Sequence, residues 1–196
     1  LLLLLAAGMA HAQDGYPGAA GARGLSMGHT GLVFTDIYGL YANPAGLAAI
    51  EGFTATAIAE QRFLISELRQ VSAAGALPVA GGAFGLRIQH YGFELYREQQ
   101  AGLAYARRLG EGLRLGAQFI YFGNRIPSYG SRHLLTFQVG LQARLLPHLS
   151  LGAALYNPLR LERSDAGERL PSPFALGLAY TPAPHLLLTL EAEKDL

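Results

Sequence analysis

Leu113-Arg114-Leu115-Gly116-Ala117-Gln118-Phe119-Ile120-Tyr121 is the stretch that decides the fold. Leu113, Leu115, Ala117, Phe119 and Tyr121 take one phase of a two-residue period, and Arg114, Gly116 and Gln118 take the other. Side chains at i and i+2 share a face of a strand, so this segment is a strand with one greasy side and one small or polar side. The pattern recurs along the chain. Phe84, Leu86 and Ile88 stand against Gly85, Arg87 and Gln89; Leu135, Phe137, Val139 and Leu141 stand against Thr136, Gln138, Gly140 and Gln142. Phe174, Leu176, Leu178 and Tyr180 repeat it, as do Leu186, Leu188 and Leu190. The sequence predicts eight or nine strands of about ten residues after Gly52.

The second face tells which solvent the sheet meets. A soluble sheet carries many Lys and Glu on its outer face, both for solvation and to discourage edge pairing. This chain has a single lysine, Lys194, and its second face is mostly Gly, Ala, Gln and Thr. Of its 196 residues 51% are hydrophobic and 15% charged, where a soluble domain carries about 25% charged residues. No stretch beyond the first few residues is apolar for the roughly 18 positions that a membrane helix requires. Apolar residues spread over alternating strands fit a sheet with lipid outside and a crowded, partly polar lumen inside. The fold class expected is therefore all-β: an antiparallel transmembrane β-barrel with a short N-terminal helical plug segment. The alternative is an exported soluble β-sandwich with a binding or structural role.

Short turn signals at 78–82, 110–112, 147–148 and 182–185 alternate with longer polar connections at 124–132 and 157–172. Short turns on one side and longer loops on the other are the layout of outer-membrane barrels. Tyr91, Tyr96, Tyr121, Tyr129, Tyr156 and Tyr180 fall near strand ends, where an interfacial aromatic girdle would sit. The chain stops at Glu193-Lys194-Asp195-Leu196 directly after a strand-like run, so a barrel incomplete at its C-terminus is expected.

The other end has a different character. Leu1 to Leu5 precede Ala6, Ala7, Gly8, Met9, Ala10, His11 and Ala12, an apolar run closing on an A-x-A pattern before Gln13. Residues 1–12 read as part of a secretory signal peptide. That implies export and, with the strands, the outer membrane of a Gram-negative bacterium. Residues 13–51 form a plug-like segment and 52–196 the barrel strands.

Within the plug lie Gly21-Ala22-Arg23-Gly24-Leu25-Ser26-Met27-Gly28 and, after Asp36, the run Asn43-Pro44-Ala45-Gly46-Leu47. These two stretches resemble the entry segment of the FadL-like superfamily of outer-membrane proteins. It includes long-chain fatty-acid transporters and the PorV/PorQ proteins associated with type IX secretion, and the PorV-like members look closer. The resemblance covers about 30 residues in detail. It implies a non-enzymatic barrel serving either passage of hydrophobic molecules or secretion-system support. The residues themselves suggest how the plug is built: Asp36 caps a short helix through Tyr38, Leu40 and Tyr41, and Pro44 ends or kinks it at Asn43.

Little else in the chain carries chemistry. There is no cysteine, which removes disulfides, thiolate catalysis and Cys-based zinc sites together. The six histidines are scattered without a metal-ligand spacing, and no Ser-His-acid arrangement is legible. No catalytic residue, metal or cofactor is expected. A net charge of +1 without a basic run argues against nucleic acid. Arg87, Arg107, Arg108, Arg114 and Arg144 are candidate lumen-lining residues, for salt bridges that stiffen the interior or for substrate selection. The partners expected are outer-membrane lipid, and hydrophobic small molecules or secretion-system proteins.

Overall fold

The computed structural model describes residues 21–127, 130–162 and 169–196. The signal-peptide segment and Tyr129 lie outside the described residues. Nine strands follow one another: β1 Thr54–Gln61, β2 Arg69–Val79, β3 Gly82–Phe93, β4 Tyr96–Arg108, β5 Leu113–Ile126, β6 Gly130–Leu146, β7 Leu149–Tyr156, β8 Pro173–Ala183 and β9 Leu186–Asp195. Each pairs antiparallel with the next, in a single sheet of order β1 to β9. A sandwich requires a second sheet packed on the first, and the described residues form one. No ladder joins β1 to β9 among them.

The period-two reading translates directly into exposure. Phe119 and Leu135 are each 64% exposed, whereas Ile120 and Gln118, their neighbours in the opposite phase, are fully buried. Leu86, Ile88, Leu103, Leu178, Leu188 and Leu190 continue the exposed set. Contiguous apolar surface on a soluble monomer rarely exceeds a few hundred Å², and here it runs across neighbouring strands from end to end. Lipid is the solvent that suits such a face. No helix among the described residues is long and apolar enough to cross a membrane; crossing by strands is unaffected by that.

The turns at 80–81, 109–112, 147–148 and 184–185 all fall on one end of the sheet, as the turn signals predicted. The expected loop at 124–132 is shorter than read, because β5 and β6 stay paired out to Ile126 and Gly130. Gly130 takes a positive φ of 98° there, a conformation that glycine adopts without Cβ strain.

The inward face is covered by the N-terminal segment. A short helix α1, Gly21–Ser26, leads into two 3₁₀ turns, Ile37–Leu40 and Pro44–Ala49. Ile37, Leu40, Tyr41, Leu47, Ala48 and Ile50 form one apolar cluster with Ala74, Ala76, Ala83, Ala104 and Ala106 of β2, β3 and β4. Leu32 packs separately against Ala154 of β7 and Ala175 of β8. The large side chains come from the plug and the small ones from the wall. That division lets the plug backbone lie close against the sheet.

Candidate functional site

Asp36 and Asn43 set the two turns of the plug. Both have extended backbones and offer a side-chain oxygen to an amide two residues on: Asp36 Oδ1 accepts from Tyr38 N at 2.9 Å, and Asn43 Oδ1 from Ala45 N at 3.1 Å. This is N-capping, and it satisfies amides that a helix start leaves open. The capping expected of Asp36 is present, on a 3₁₀ turn that ends at Leu40. Asn43 does more than the proline reading foresaw. It opens the second turn, with Pro44 in the first position, where proline's fixed φ and missing N–H suit a helix start.

Asn43 is fully buried. Its Nδ2 donates to Leu32 O at 2.7 Å, Leu141 O at 3.0 Å and Ala153 O at 3.3 Å. Leu141 and Ala153 are opposed across the β6–β7 ladder, so one amide ties the plug to two strands and to its own earlier chain. Pro44, Ala45, Gly46 and Leu47 are buried beside it.

Three wall glutamines repeat the theme, each donating to a plug carbonyl. Gln138 Nε2 donates to Ala42 O at 2.9 Å, and Gln142 Nε2 lies 2.9 Å from both Leu32 O and Phe34 O. With its amide nitrogen turned toward the plug, Gln118 donates to Leu40 O at 3.0 Å while its oxygen accepts from Arg87 Nε at 3.0 Å. On the far side Glu191 Oε1 of β9 accepts from Gly31 N and Leu32 N, both at 2.9 Å. The carbonyls at Leu32, Phe34, Leu40 and Ala42 belong to an irregular segment, and buried polar groups require partners. The wall supplies them.

The five arginines separate into distinct settings. Arg87 on β3 is fully buried: Nη2 meets Gln100 Oε1 at 3.3 Å and the guanidinium lies 5.5 Å from the Tyr41 ring centre. Tyr41 in turn donates to Ser72 Oγ at 3.0 Å. Arg108 Nε donates to Ala48 O at 2.6 Å, and its Nη2 is 3.9 Å from Glu51. Arg114 and Arg144 share the inward phase of β5 and β6 near the short-turn end, where Arg114 Nη1 meets Gln142 Oε1 at 3.4 Å and Arg144 Nη2 meets Glu111 O at 2.8 Å. Arg107 takes the phase of Leu103 and Tyr105, on the exposed face.

Sequence reading missed the glutamines and Glu191 as plug contacts. The signal was present, since an amide or carboxylate on an inward phase must find a partner; which backbone it meets depends on strands far apart in sequence. Three girdle tyrosines need correction: Tyr91 shares the inward phase of Arg87 and Gln89 on β3, and Tyr96 that of Glu98 and Gln100 on β4. Tyr156 is buried inside the sheet because its phase matches Gly152 and Ala154 on β7, so its place at a strand end does not put it in the interface.

Burial holds the Asp36 carboxyl above its ordinary value of 3.8, against the lowering effects of the Tyr38 amide and of Arg23, whose Nη1 lies 3.6 Å away. A raised carboxyl pKa means that the folded state holds the proton more tightly. Its stabilising contribution is complete below 3.8 and declines as pH rises through the folded value. Asp36→Asn keeps the capping oxygen and removes this titration. Its expected effect is a flatter pH dependence of plug stability above 3.8, with stability at pH 7 unchanged or slightly raised, because burial of the carboxylate outweighs the half-exposed Arg23 pair. Urea titrations at several pH values check this; an unchanged pH dependence would show that Asp36 does not titrate as described.

No family model matches the chain, and no curated protein matches it. Among solved structures, a "CymD monoaromatic hydrocarbon channel" is similar to it, with a TM-score of 0.65 and 13% sequence identity, over 94% of this chain and 70% of that one. The likeness shows the fold. This chain has an antiparallel β-barrel strand architecture, laid over its own N-terminal segment.

Proposed function

We propose that this chain belongs to a non-enzymatic outer-membrane barrel through which small hydrophobic molecules pass, with residues 30–50 as the plug that governs the lumen. The observation that carries this reading is the plug's mode of attachment. It is held to a lipid-facing sheet by side-chain amides and one carboxylate acting on backbone groups. Net hydrogen bonds of this kind contribute about 0.5–1.5 kcal/mol each, so they can be exchanged one at a time. The likeness to a channel fold supports passage, and no specific observation favours secretion-system support.

The full-length protein should be expressed in a Gram-negative host whose outer membrane slows hydrocarbon entry, with insertion verified by heat-modifiable migration on a detergent gel. Uptake of labelled toluene is expected to rise above that of the empty host. Correct insertion without added uptake would sink the passage reading.

A further inference from the structure

At the short-turn end, between the plug and the wall, lies a cavity of about 240 Å³. Arg23, Arg114 and Arg144 line it together with Phe34, Leu151 and Leu187, and no lining residue is acidic. The three cations are not equivalent. Arg23 is compensated by Asp36 at 3.6 Å and stacks 4.0 Å from the Phe34 ring centre. Arg114 and Arg144 meet only neutral oxygens, the Gln142 amide and the Glu111 carbonyl. Neither has a carboxylate partner among the described residues. Both Arg108 and Arg144 lie within Coulombic range of Arg114, so like charges gather here.

A guanidinium presents five N–H donors in a planar fork that matches a carboxylate. Two such forks beside one cavity, each with most donors uncommitted, form an arrangement that an oxyanion completes. The remaining lining sets Val33, Phe34, Ala179 and Leu187 beside the neutral polar groups of Thr35, Gln142, Ser150 and Thr181, and the volume is below the roughly 300–1,000 Å³ of sites that hold drug-sized ligands. We propose that this cavity binds a small organic carboxylate. Its acid group lies between Arg114 and Arg144, and its apolar body rests on Phe34 and Leu187. Short turns mark the periplasmic side of such barrels, so the site faces the periplasm. It is an equilibrium binding site and stands whether or not the barrel passes hydrocarbons.

Calorimetric titration of the full-length protein in non-ionic detergent tests this with three probes: benzoate, its neutral counterpart benzyl alcohol, and inorganic phosphate. Benzoate is expected to bind and benzyl alcohol to show no heat. Phosphate is expected to bind about tenfold more weakly for want of the apolar contact. Benzoate affinity should fall as ionic strength rises, a readout that needs no variant. Arg144→Gln, with folding verified by heat-modifiable migration, should weaken benzoate about tenfold. Equal binding of benzoate and benzyl alcohol overturns the anion site. Phosphate binding as tight as benzoate overturns the organic-acid assignment. No benzoate binding overturns both.

Discussion

Gly116→Ala should unseat the plug. Gly116 on β5 faces inward directly opposite Gly140 on β6, and the two form the floor beneath the Asn43-Pro44-Ala45 backbone. A Cβ added at Gly116 would fall on Pro44 C and Ala45 N and lie 2.7 Å from Pro44 O. One added at Gly140 would fall on the Asn43 side-chain oxygen and lie 2.9 Å from Pro44 Cδ. The obstacle at Gly116 is backbone held by its own capping bond, so no rotamer change relieves it. Overpacking typically costs about 1–3 kcal/mol, and an immovable neighbour places this substitution near about 3 kcal/mol. Gly75→Ala is the control: a Cβ there meets nothing within 4 Å, so its effect should stay within about 0.5 kcal/mol. Urea midpoints in detergent and protease protection of residues 30–50 measure the two. If Gly116→Ala keeps both at the parent value, the plug does not rest on this floor.

The strands were legible because their period is a local property. Each side chain's face follows from its neighbours two residues away, and the exposed phase of β3, β5, β6, β8 and β9 matches the alternation read at Phe84, Leu113, Leu135, Phe174 and Leu186. Pairing of nearest neighbours follows from short turns for the same reason. What fills the lumen is not local. Ile120 and Phe122 are large, apolar and fully buried on the inward face, breaking the polar half of the β5 pattern. Arg107 and Arg108 are adjacent in sequence, yet one is on the exposed face and the other reaches the Ala48 carbonyl. Alternation alone separates them once the register is known. The motif at 43–47 marked the plug, but its anchoring to Leu141 and Ala153 spans about a hundred residues of chain.

The anchoring also yields the sharpest discrimination between substitutions at one position. Asn43→Ala removes the donor to Leu32, Leu141 and Ala153 and the acceptor for Ala45 N at once. The carbonyls retain partial alternatives: Leu32 O still receives Gln142, and strand carbonyls share ladder bonds. Losing the cap costs about 1 kcal/mol, and leaving buried groups short of partners adds about 1–3 kcal/mol. The expected destabilisation is about 3 kcal/mol, with the plug opened to protease. Asn43→Asp separates the two roles. It keeps the oxygen that caps Ala45 but sets a second oxygen against three carbonyls, and an unpaired buried carboxylate is costlier than an unpaired amide. At pH 7 it should be at least as damaging as alanine. Protonation restores one O–H donor, so stability should partly recover as pH falls, the direction expected of a carboxyl whose folded pKa is raised by burial. Asn43→Ala should show no such recovery. An Asp variant as stable as the parent at pH 7 would mean that the donor bonds contribute nothing and that capping alone holds the segment.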